Sequence, residues 1–333
     1  MARSRRDFLQ TAVLGLGATG VSALAAHAAP QATTPGAPGA PAGAAAAPAV
    51  PPRPASEIQV PRMKFGPVEI SRMVVGCNPF YGFAHFNAIL SAVMREYYTP
   101  ERVCDVLHQC ARFGINAYNY VQLGRAPQDL ERFRAEGGHM HLIIQGLGDP
   151  AALVAQWHPL AIYHHGERTD TAYRDGKIAT VREWCKQARD AGVMVGVGTH
   201  KPEVIALVEE QGWDVDFYAG CVYNRSRTPA EWTRVLNGEL PEMAGEIYLQ
   251  SDPARMYAVM RKTPKPCFAF KIMAAGRIAD KGADQAFQTA FASIKPIDGI
   301  FVGMFPRAKD EIRENVERVH RILTGAPAPA TIV

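Results

Sequence analysis

The sequence predicts a (β/α)8 barrel, the TIM-barrel fold, preceded by an amino-terminal segment that lies outside it. Three observations predict this fold: apolar strand-like runs alternate with amphipathic helical patterns, the runs number eight, and no glycine-rich phosphate loop follows the first run. An open doubly wound sheet would place a G-x-G-x-x-G loop there. The sequence has NPFYGF at 78–83 instead, which favours the closed barrel.

The chain begins with the features of a twin-arginine signal peptide, which we assign to 1–28. The sequence SRRDFLQ at 4–10 precedes a Gly- and Ala-rich apolar run, and AHA at 26–28 offers a small-residue cleavage site. The apolar run is about 16 residues long, whereas a spanning helix needs roughly 20, so no permanent membrane anchor is expected. We expect the twin-arginine machinery to export the folded protein to the periplasm.

The remaining chain divides into three parts. Residues 29–56 consist almost entirely of Pro, Ala, Gly and Thr, and we expect them to form a disordered linker because they bury too little apolar surface to offset the entropy of ordering. Residues 57–325 carry the barrel pattern, and their length suits one barrel domain. Residues 326–333 are expected to be a flexible tail.

Charge and cysteine content narrow the possible partners. Without the signal peptide, 33 of the 36 basic and 31 of the 32 acidic residues remain. A net charge near zero leaves no electrostatic footprint for nucleic acid. The six cysteines form no C-x-x-C pair, and a chain that folds before export folds with reduced thiols, so disulfides are not required. We therefore expect a small-molecule substrate.

The eight strand-like runs are short, apolar and bounded by turn residues. We place them near 72–78, 115–121, 140–146, 160–165, 193–199, 215–222, 267–273 and 298–304. Helical patterns lie between them. One begins with Thr99, Pro100 and Glu101, which supply an N-cap, a first-turn proline and an acidic first turn, and the last covers 310–323.

Two connections are longer than plain turns, 78–98 and 224–252, and both are rich in aromatic residues. Each leaves the carboxyl end of a strand, the end at which barrel enzymes keep their sites. The aromatic side chains either stack on a sugar or another flat ligand or form a small core that covers the barrel end.

The run 160–170 changes from apolar to titratable, as a buried strand does when it leaves a barrel core. Side chains alternate between the two faces of a strand. We assign Ala161, Tyr163 and His165 to the inner face, which places His165 at the barrel mouth. His164 then faces the other way, packed or solvated beneath a helix.

The same alternation directs polar groups of other strands inward. In 193–200 the valines occupy the odd positions and belong beneath helices, so His200 faces the mouth. In 267–273 we assign the large even-numbered side chains to the outer face, which leaves Lys271 inside, and in the third strand Gln145 faces inward. The predicted ring consists of Gln145, His165, His200 and Lys271.

Further polar residues stand where strands end and are candidates for binding the substrate together with Gln145. The candidates are Asn78, Asp170, Asn224 and Arg277. A polar cluster in a barrel mouth is costly to desolvate unless it binds a ligand or pairs internally. The mouth is therefore the predicted site.

The order of several short motifs resembles the aldo/keto reductase superfamily over nearly the whole folded part. Residues 63–66 and 70–76 are similar to its opening hairpin and first strand, and 221–224 to the end of its sixth strand. Residues 301–303, followed by 314–315, are similar to its eighth strand and cofactor-phosphate helix. The resemblance implies a TIM barrel and points to Gly303 and Arg307 as binders of an NADP phosphate.

The same resemblance implies an altered catalytic tetrad. The family uses an Asp, a Tyr, a Lys and a His for hydride transfer. Asn119 stands at the Asp position, 122–124 (QLG) contains no Tyr, and Gln145 replaces the Lys. Only the His, matched to His165, is present. The fold is therefore supported more strongly than the reductase activity.

The leading functional hypothesis is an exported enzyme of the lyase or isomerase type that acts on a small carbonyl or carbohydrate-like substrate. His165 and His200 would be acid and base, and Lys271 would stabilise an oxyanion or form a Schiff base. Three alternatives stay open: an NAD(P)H-dependent oxidoreductase with an altered tetrad, a metal-assisted enzyme using His165, His200 and Asp170, and a non-catalytic binding barrel.

Overall fold

The computed structural model describes residues 53–239 and 245–326, except the side chains of 279–281. The predicted signal peptide, the linker as far as residue 52 and the tail from residue 327 lie outside these described residues. None of the helices within the described ranges is long and apolar enough to cross a membrane.

An antiparallel hairpin precedes the barrel. It consists of β1 (Arg62–Phe65) and β2 (Val68–Ser71), joined by a turn in which Gly66 has a φ of 58°. The glycine is needed because a residue with a Cβ is strained at positive φ. The sequence resemblance implied a hairpin at this position, and the structure contains one.

Eight parallel strands form the barrel: β3 (Met73–Gly76), β4 (Ala117–Tyr120), β5 (His141–Gly146), β6 (Ala161–His164), β7 (Met194–Thr199), β8 (Phe217–Cys221), β9 (Cys267–Phe270) and β10 (Gly299–Gly303). Each strand pairs with the next along the chain, and β10 pairs with β3 to close the barrel. Every strand lies within one of the eight predicted runs. The predicted (β/α)8 barrel is confirmed.

The described residues contain eleven α-helices, which surround the barrel or lie in its connections: α1 (Ala88–Tyr97), α2 (Pro100–Arg112), α3 (Ala126–Ala135), α4 (Pro150–Trp157), α5 (Gly166–Arg174), α6 (Ile178–Asp190), α7 (Pro202–Glu210), α8 (Pro229–Leu236), α9 (Asp252–Lys262), α10 (Ala279–Ser293) and α11 (Glu311–Thr324). The side chain of Thr99 accepts the amide of Arg102, as the predicted N-cap of α2 requires. The two long connections contain α1 and α8.

Alternation along the strands separates two hydrophobic layers. Between the strands and the helices lie the odd-numbered valines of β7, as predicted, together with Leu142, Ile144 and Ile162. The barrel interior contains Ala117, Ile143, Ala161, Tyr163, Phe217, Phe268 and Phe301. The assignments for β5, β6 and β7 therefore agree with the structure.

The assignment for β9 is wrong. Phe268 belongs to the interior layer and stacks on Phe301 with ring centroids 4.6 Å apart, whereas Cys267 and Ala269 lie on the helix side. The small residues of this strand face outward because the interior needs aromatic volume at this level. Lys271 nevertheless reaches the mouth, because β9 ends at Phe270 and Lys271 turns with a φ of 60°.

The hairpin closes the amino-terminal end of the barrel through Phe65. Its fully buried ring packs edge-on against Phe217 and Phe268, with centroids 5.2 Å away in both cases. Edge-to-face aromatic pairs add attraction beyond the burial of their area. The site must therefore lie at the opposite, carboxyl end of the strands.

All six cysteines are buried free thiols. Burial raises the pKa of Cys77, Cys110, Cys185 and Cys267 to about 12, so these groups stay protonated at neutral pH.

Replacing Phe65 by Ala tests the role of the hairpin in the core. We expect a loss of about 3–5 kcal/mol in the free energy of unfolding, because the substitution leaves a cavity between Phe217 and Phe268. Urea unfolding measures the loss. The control is Phe83→Ala, since Phe83 is 42% exposed. Equal stability of the two variants would contradict the packing described here.

Candidate active site at the barrel mouth

A cavity of about 450 Å³ opens at the carboxyl ends of β3, β4, β9 and β10. This volume is within the usual range for small-molecule sites. Most of the lining is apolar. The polar side chains that line it are those of Asn78, His85, Asn119, Lys271 and Glu311. Because it combines an apolar wall with a few polar groups, we take this cavity as the candidate active site.

Lys271 supplies the cation of the cavity. Its Nζ lies 5.6 Å from the ring centroid of Phe270, and it makes no hydrogen bond or ion pair with any described residue. Burial, with a further contribution from the charge of Arg225, lowers the pKa of Lys271 to about 8. An amine in this range is partly neutral at physiological pH.

His200 lies in the barrel mouth but does not line the cavity. Its Nδ1 is 2.7 Å from Oδ2 of Asp170, and its Nε2 is 3.3 Å from Nη1 of Arg225. A carboxylate only accepts and a guanidinium only donates, so Nδ1 carries the proton and Nε2 accepts. Burial lowers the pKa of His200, although Asp170 opposes this effect. Both ring nitrogens are occupied, so His200 positions Arg225 and is not a free base.

Asp170 is buried on α5 and anchors this arrangement. Its carboxylate accepts hydrogen bonds from the backbone amide of His200, the hydroxyl of Thr199 at 2.5 Å and the hydroxyl of Ser226 at 2.7 Å. Burial raises its pKa, but the hydrogen bond from the ring of His200, followed by those from the hydroxyls of Thr199 and Ser226, outweighs burial and the net shift is downward. The expectation that Asp170 binds substrate is therefore corrected: its oxygens are already used inside the protein.

His165 directly follows β6 and is the N-cap residue of α5. Its Nδ1 is buried and has no hydrogen-bond partner among the described residues. Burial, with smaller effects from His200 and Lys271, lowers its pKa to about 4, so the ring is neutral at pH 7. His165 is not among the residues that line the cavity. His164 faces the helix side, where it contacts Thr169 and Trp184, in line with its structural interpretation.

His85, which the sequence pattern did not indicate as a site residue, lines the cavity. Its Nδ1 lies 2.9 Å from Oε1 of Glu246, and its Nε2 lies 3.2 Å from the side-chain nitrogen of Asn78. Burial, with a contribution from Lys271, lowers the pKa of His85 to about 4. The ring is therefore neutral at pH 7, with the proton on Nδ1 and an acceptor at Nε2.

Glu246 connects His85, in the first long connection, with Arg225, in the second. Besides His85, it binds Arg225 through two hydrogen bonds and accepts the hydroxyl of Tyr248 at 2.8 Å. Burial raises its pKa, but hydrogen bonds from His85 and Arg225 prevail and hold the pKa well below its usual range. The only signal in the sequence was that His85 and Glu246 lie in the two long connections. Neither residue stands in a helix or strand whose periodicity could have indicated where its side chain points.

Backbone strain is concentrated at this mouth. Four of the six described non-glycine residues with positive φ are found here: His85, Lys271, Ala274 and Ala275. Such a conformation costs roughly 1–2 kcal/mol per residue. Strained residues of this kind cluster at functional sites, and this adds to the reasons for placing the site here.

Of three other residues predicted to bind substrate, one lines the cavity and two do not. Asn78 lines the cavity, whereas Gln145 lies at its edge, with its side-chain nitrogen 3.5 Å from Sγ of Cys77. The side-chain oxygen of Asn224 accepts the amide of Ser226 in a local turn. Gln145 and Asn224 are therefore not cavity-lining residues.

Arg277 fastens loops together. Its guanidinium donates to the backbone oxygens of His85 at 3.0 Å and Glu246 at 2.8 Å, and it lies over the rings of Phe86 and Tyr248. Its expected role in substrate binding is corrected, because these contacts occupy it in connecting the two long loops.

The predicted phosphate-binding end of α11 does not fit an anion. Gly303 lines the cavity, but Arg307 is exposed and does not. The side chain of Asp310 accepts the amide of Arg313 at the helix start, and the carboxylate of Glu311 accepts the amide of Phe305. Two carboxylates thus stand where an NADP phosphate was expected, which would repel it.

The alternative of a metal site finds no matching arrangement. Among residues 53–239 and 245–326, no group of three or more His, Cys, Asp and Glu side chains is placed to hold a metal ion. The proposed set of His165, His200 and Asp170 fails because Asp170 and His200 are joined by a direct hydrogen bond.

Asn119, which stands at the position of the reductase Asp, lines the cavity. Its side-chain oxygen accepts the hydroxyl of Tyr163 at 3.0 Å inside the barrel. Burial raises the pKa of Tyr163 far above its usual value. This hydroxyl is therefore no ready proton donor at neutral pH.

No protein-family model matches the chain, and no curated protein matches it in sequence. Two similar solved structures come from Thermotoga maritima. The first is a truncated form of 3-deoxy-D-arabino-heptulosonate 7-phosphate synthase, with 15% identity, a TM-score of 0.47 and coverage of 80% of this chain and 92% of that chain. The second is a phospho-2-dehydro-3-deoxyheptonate aldolase, with 14% identity, a TM-score of 0.47 and coverage of 80% and 73%.

A third similar structure is a xylose isomerase-like TIM-barrel protein from Mycobacterium smegmatis in complex with magnesium. It is 13% identical, with a TM-score of 0.40, and the alignment covers 77% of this chain and 97% of that chain. At such identities none of these neighbours assigns an activity.

The neutral histidines predict that acid destabilises the fold. His85, His164 and His165 have folded pKa values of about 4, below the ordinary value of 6.5. The unfolded chain therefore binds protons first, and stability present above pH 6.5 is lost as the pH falls towards 4. We expect each imidazole to contribute on the order of 1–2 kcal/mol to this loss after solvent screening.

Thermal unfolding between pH 8 and pH 4 measures this effect. His165→Gln should show a shallower decline than the wild type, while the exposed control His139→Gln should follow the wild type. A melting temperature that stays level or rises as the pH falls would contradict the neutral assignment.

Proposed function

We propose that this protein is an enzyme that transfers a proton at the carbon beside the carbonyl group of a small substrate. The observation that carries the proposal is Lys271, an ammonium without an ion-pair partner among the described residues, in a cavity with mainly apolar walls. Removing a proton from such a carbon places negative charge on the carbonyl oxygen. A preorganised cation in a water-poor site stabilises that charge strongly.

His85 is the base in this proposal. It lines the same cavity as Lys271, and its Nε2 accepts hydrogen bonds. When Nε2 takes a proton, the ionised Glu246 on the other side of the ring stabilises the imidazolium, as the third member of a catalytic triad does. His85 thus replaces the pair His165 and His200 that the sequence suggested.

Arg225, His200 and Asp170 support this base indirectly. Arg225 binds Glu246, His200 orients Arg225, and Asp170 fixes the tautomer of His200. Support of this kind is typical of groups behind a reacting residue. A base, an oxyanion-stabilising cation and a small cavity together favour lyase or isomerase chemistry.

Hydrogen–deuterium exchange tests the proposal without knowledge of the natural substrate. We expect the protein in D2O to exchange protons beside the carbonyl of some members of a panel of small aldehydes and ketones, followed by proton NMR. Lys271→Met should lower the rate by ~10²–10³, since the oxyanion loses its cation. His85→Asn should lower it by ~10²–10⁴. The melting temperature of Lys271→Met should be unchanged or raised, because an apolar side chain replaces a half-buried charge.

The matched control is Lys265→Met. Lys265 precedes the same strand at the opposite end of the barrel and pairs with Glu209 at 2.6 Å, so its loss should leave exchange unchanged. Exchange that persists in Lys271→Met would refute the proposal. Steady oxidation of NADPH with the same panel would favour the reductase alternative instead.

A further inference from the structure

The surroundings of Lys271 suit an amine that attacks a carbonyl carbon, as well as an ammonium that stabilises negative charge. Its backbone oxygen accepts the amide of Ala274 at 2.8 Å, which fixes the left-handed turn after β9. The turn directs the side chain to the wall of the cavity. Its Nζ makes no hydrogen bond with any described residue, so the nitrogen is available to a ligand.

The charge environment increases the share of free amine. With a pKa of about 8 in place of 10.5, the neutral form at pH 7 is roughly 300 times more abundant than for an ordinary lysine. Burial is the main cause, and Arg225 contributes. Lysines activated in this way attack carbonyl carbons.

The cavity wall indicates what kind of carbonyl compound fits. Its large side chains are apolar: Phe83, Leu90, Met94, Phe270, Phe301 and Phe305. Of the polar lining, Asn119 is bonded to Tyr163, His85 to Glu246, and Glu311 to a backbone amide. A polyhydroxylated sugar would leave several buried hydroxyls without partners, which is costly.

We propose that Lys271 forms an imine with an aldehyde or ketone whose body is apolar or aromatic, and that proton transfer follows on this imine. The inference rests on the proposed function and deepens it by naming the covalent step and the substrate class. It also departs from the carbohydrate-like substrate that the sequence left open.

The steps need only the groups of the cavity, protons from the solvent and water. The lone pair of neutral Nζ attacks the carbonyl carbon, the C=O π electrons move to oxygen, and the proton released by nitrogen goes to that oxygen. The resulting hydroxyl takes up a proton from the solvent and leaves as water, and a protonated imine forms. Nε2 of His85 takes a proton from the adjacent carbon, and the electron pair moves towards the iminium nitrogen to give an enamine. His85 returns a proton to that carbon, and attack of water on the protonated imine then releases the carbonyl compound and restores the amine.

Reductive trapping tests the inference. The full chain at pH 8 is incubated with sodium cyanoborohydride and either 4-phenyl-2-butanone or dihydroxyacetone, and intact mass and peptide mapping follow. We expect about one adduct per chain at Lys271, with the mass of the ketone less one oxygen atom, and roughly tenfold preference for the aromatic ketone. Lys265→Met should be labelled as the wild type is, and Lys271→Met should not.

Two results would overturn the inference: labelling spread over surface lysines and unchanged in Lys271→Met, or preference for dihydroxyacetone. Lys271→Arg separates this inference from the proposed function, because arginine keeps the charge but forms no imine. Exchange that continues in Lys271→Arg without trapping in the wild type would leave the proton-transfer proposal standing and reject the imine. Absence of both exchange and trapping would reject both.

Discussion

The mouth of this barrel depends on one chain of hydrogen bonds, which runs from Asp170 through His200, Arg225 and Glu246 to His85. Its charges alternate: an anion, a neutral ring, a cation, an anion and a second neutral ring. Buried charges are tolerated when they are hydrogen-bonded or paired: Asp170 is hydrogen-bonded to His200, Thr199 and Ser226, and Glu246 is paired with Arg225. Because Glu246 already pairs with Arg225, Lys271 supplies the unpaired positive charge of the cavity among the described residues.

The chain of hydrogen bonds also explains why two histidines with similar surroundings have different roles. His200 is bonded at both ring nitrogens by groups that cannot change roles, since Asp170 only accepts and Arg225 only donates. His85 has a charged partner on one side alone, because its Nε2 meets the neutral side-chain amide of Asn78, and both residues line the cavity. In the function we propose, position in the network decides which imidazole acts as the base.

Sequence periodicity was sufficient for the fold and for three of the four strands tested by alternation. It succeeded where β-branched residues occupy one face, as the valines of β7 do. It failed on β9, where Phe268 fills the interior against Phe65 and Phe301, so that size gave the wrong face. Lys271 reached the mouth for a reason that alternation does not contain, a left-handed residue after the strand.

The groups that the sequence did not predict lie in the connections. His85 and Glu246 are 161 residues apart and meet only because the two long loops fold over the same barrel end, fastened by Arg277. Loops lack the periodicity on which sequence reasoning depends. In the same way, Asp170 and Arg277 looked like binders from their place at strand ends, whereas their hydrogen bonds hold other residues in position.

The central claim is that Lys271 is a half-buried amine of lowered basicity in an open cavity. NMR titration of protein labelled with carbon-13 at the lysine ε-carbons tests this most directly, with Lys271→Met to assign its signal. The account predicts one lysine resonance that titrates with a pKa of about 8 and is absent from the variant. If the Lys271 resonance titrates near the ordinary value of about 10.4, the amine is neither buried nor activated and the account is wrong.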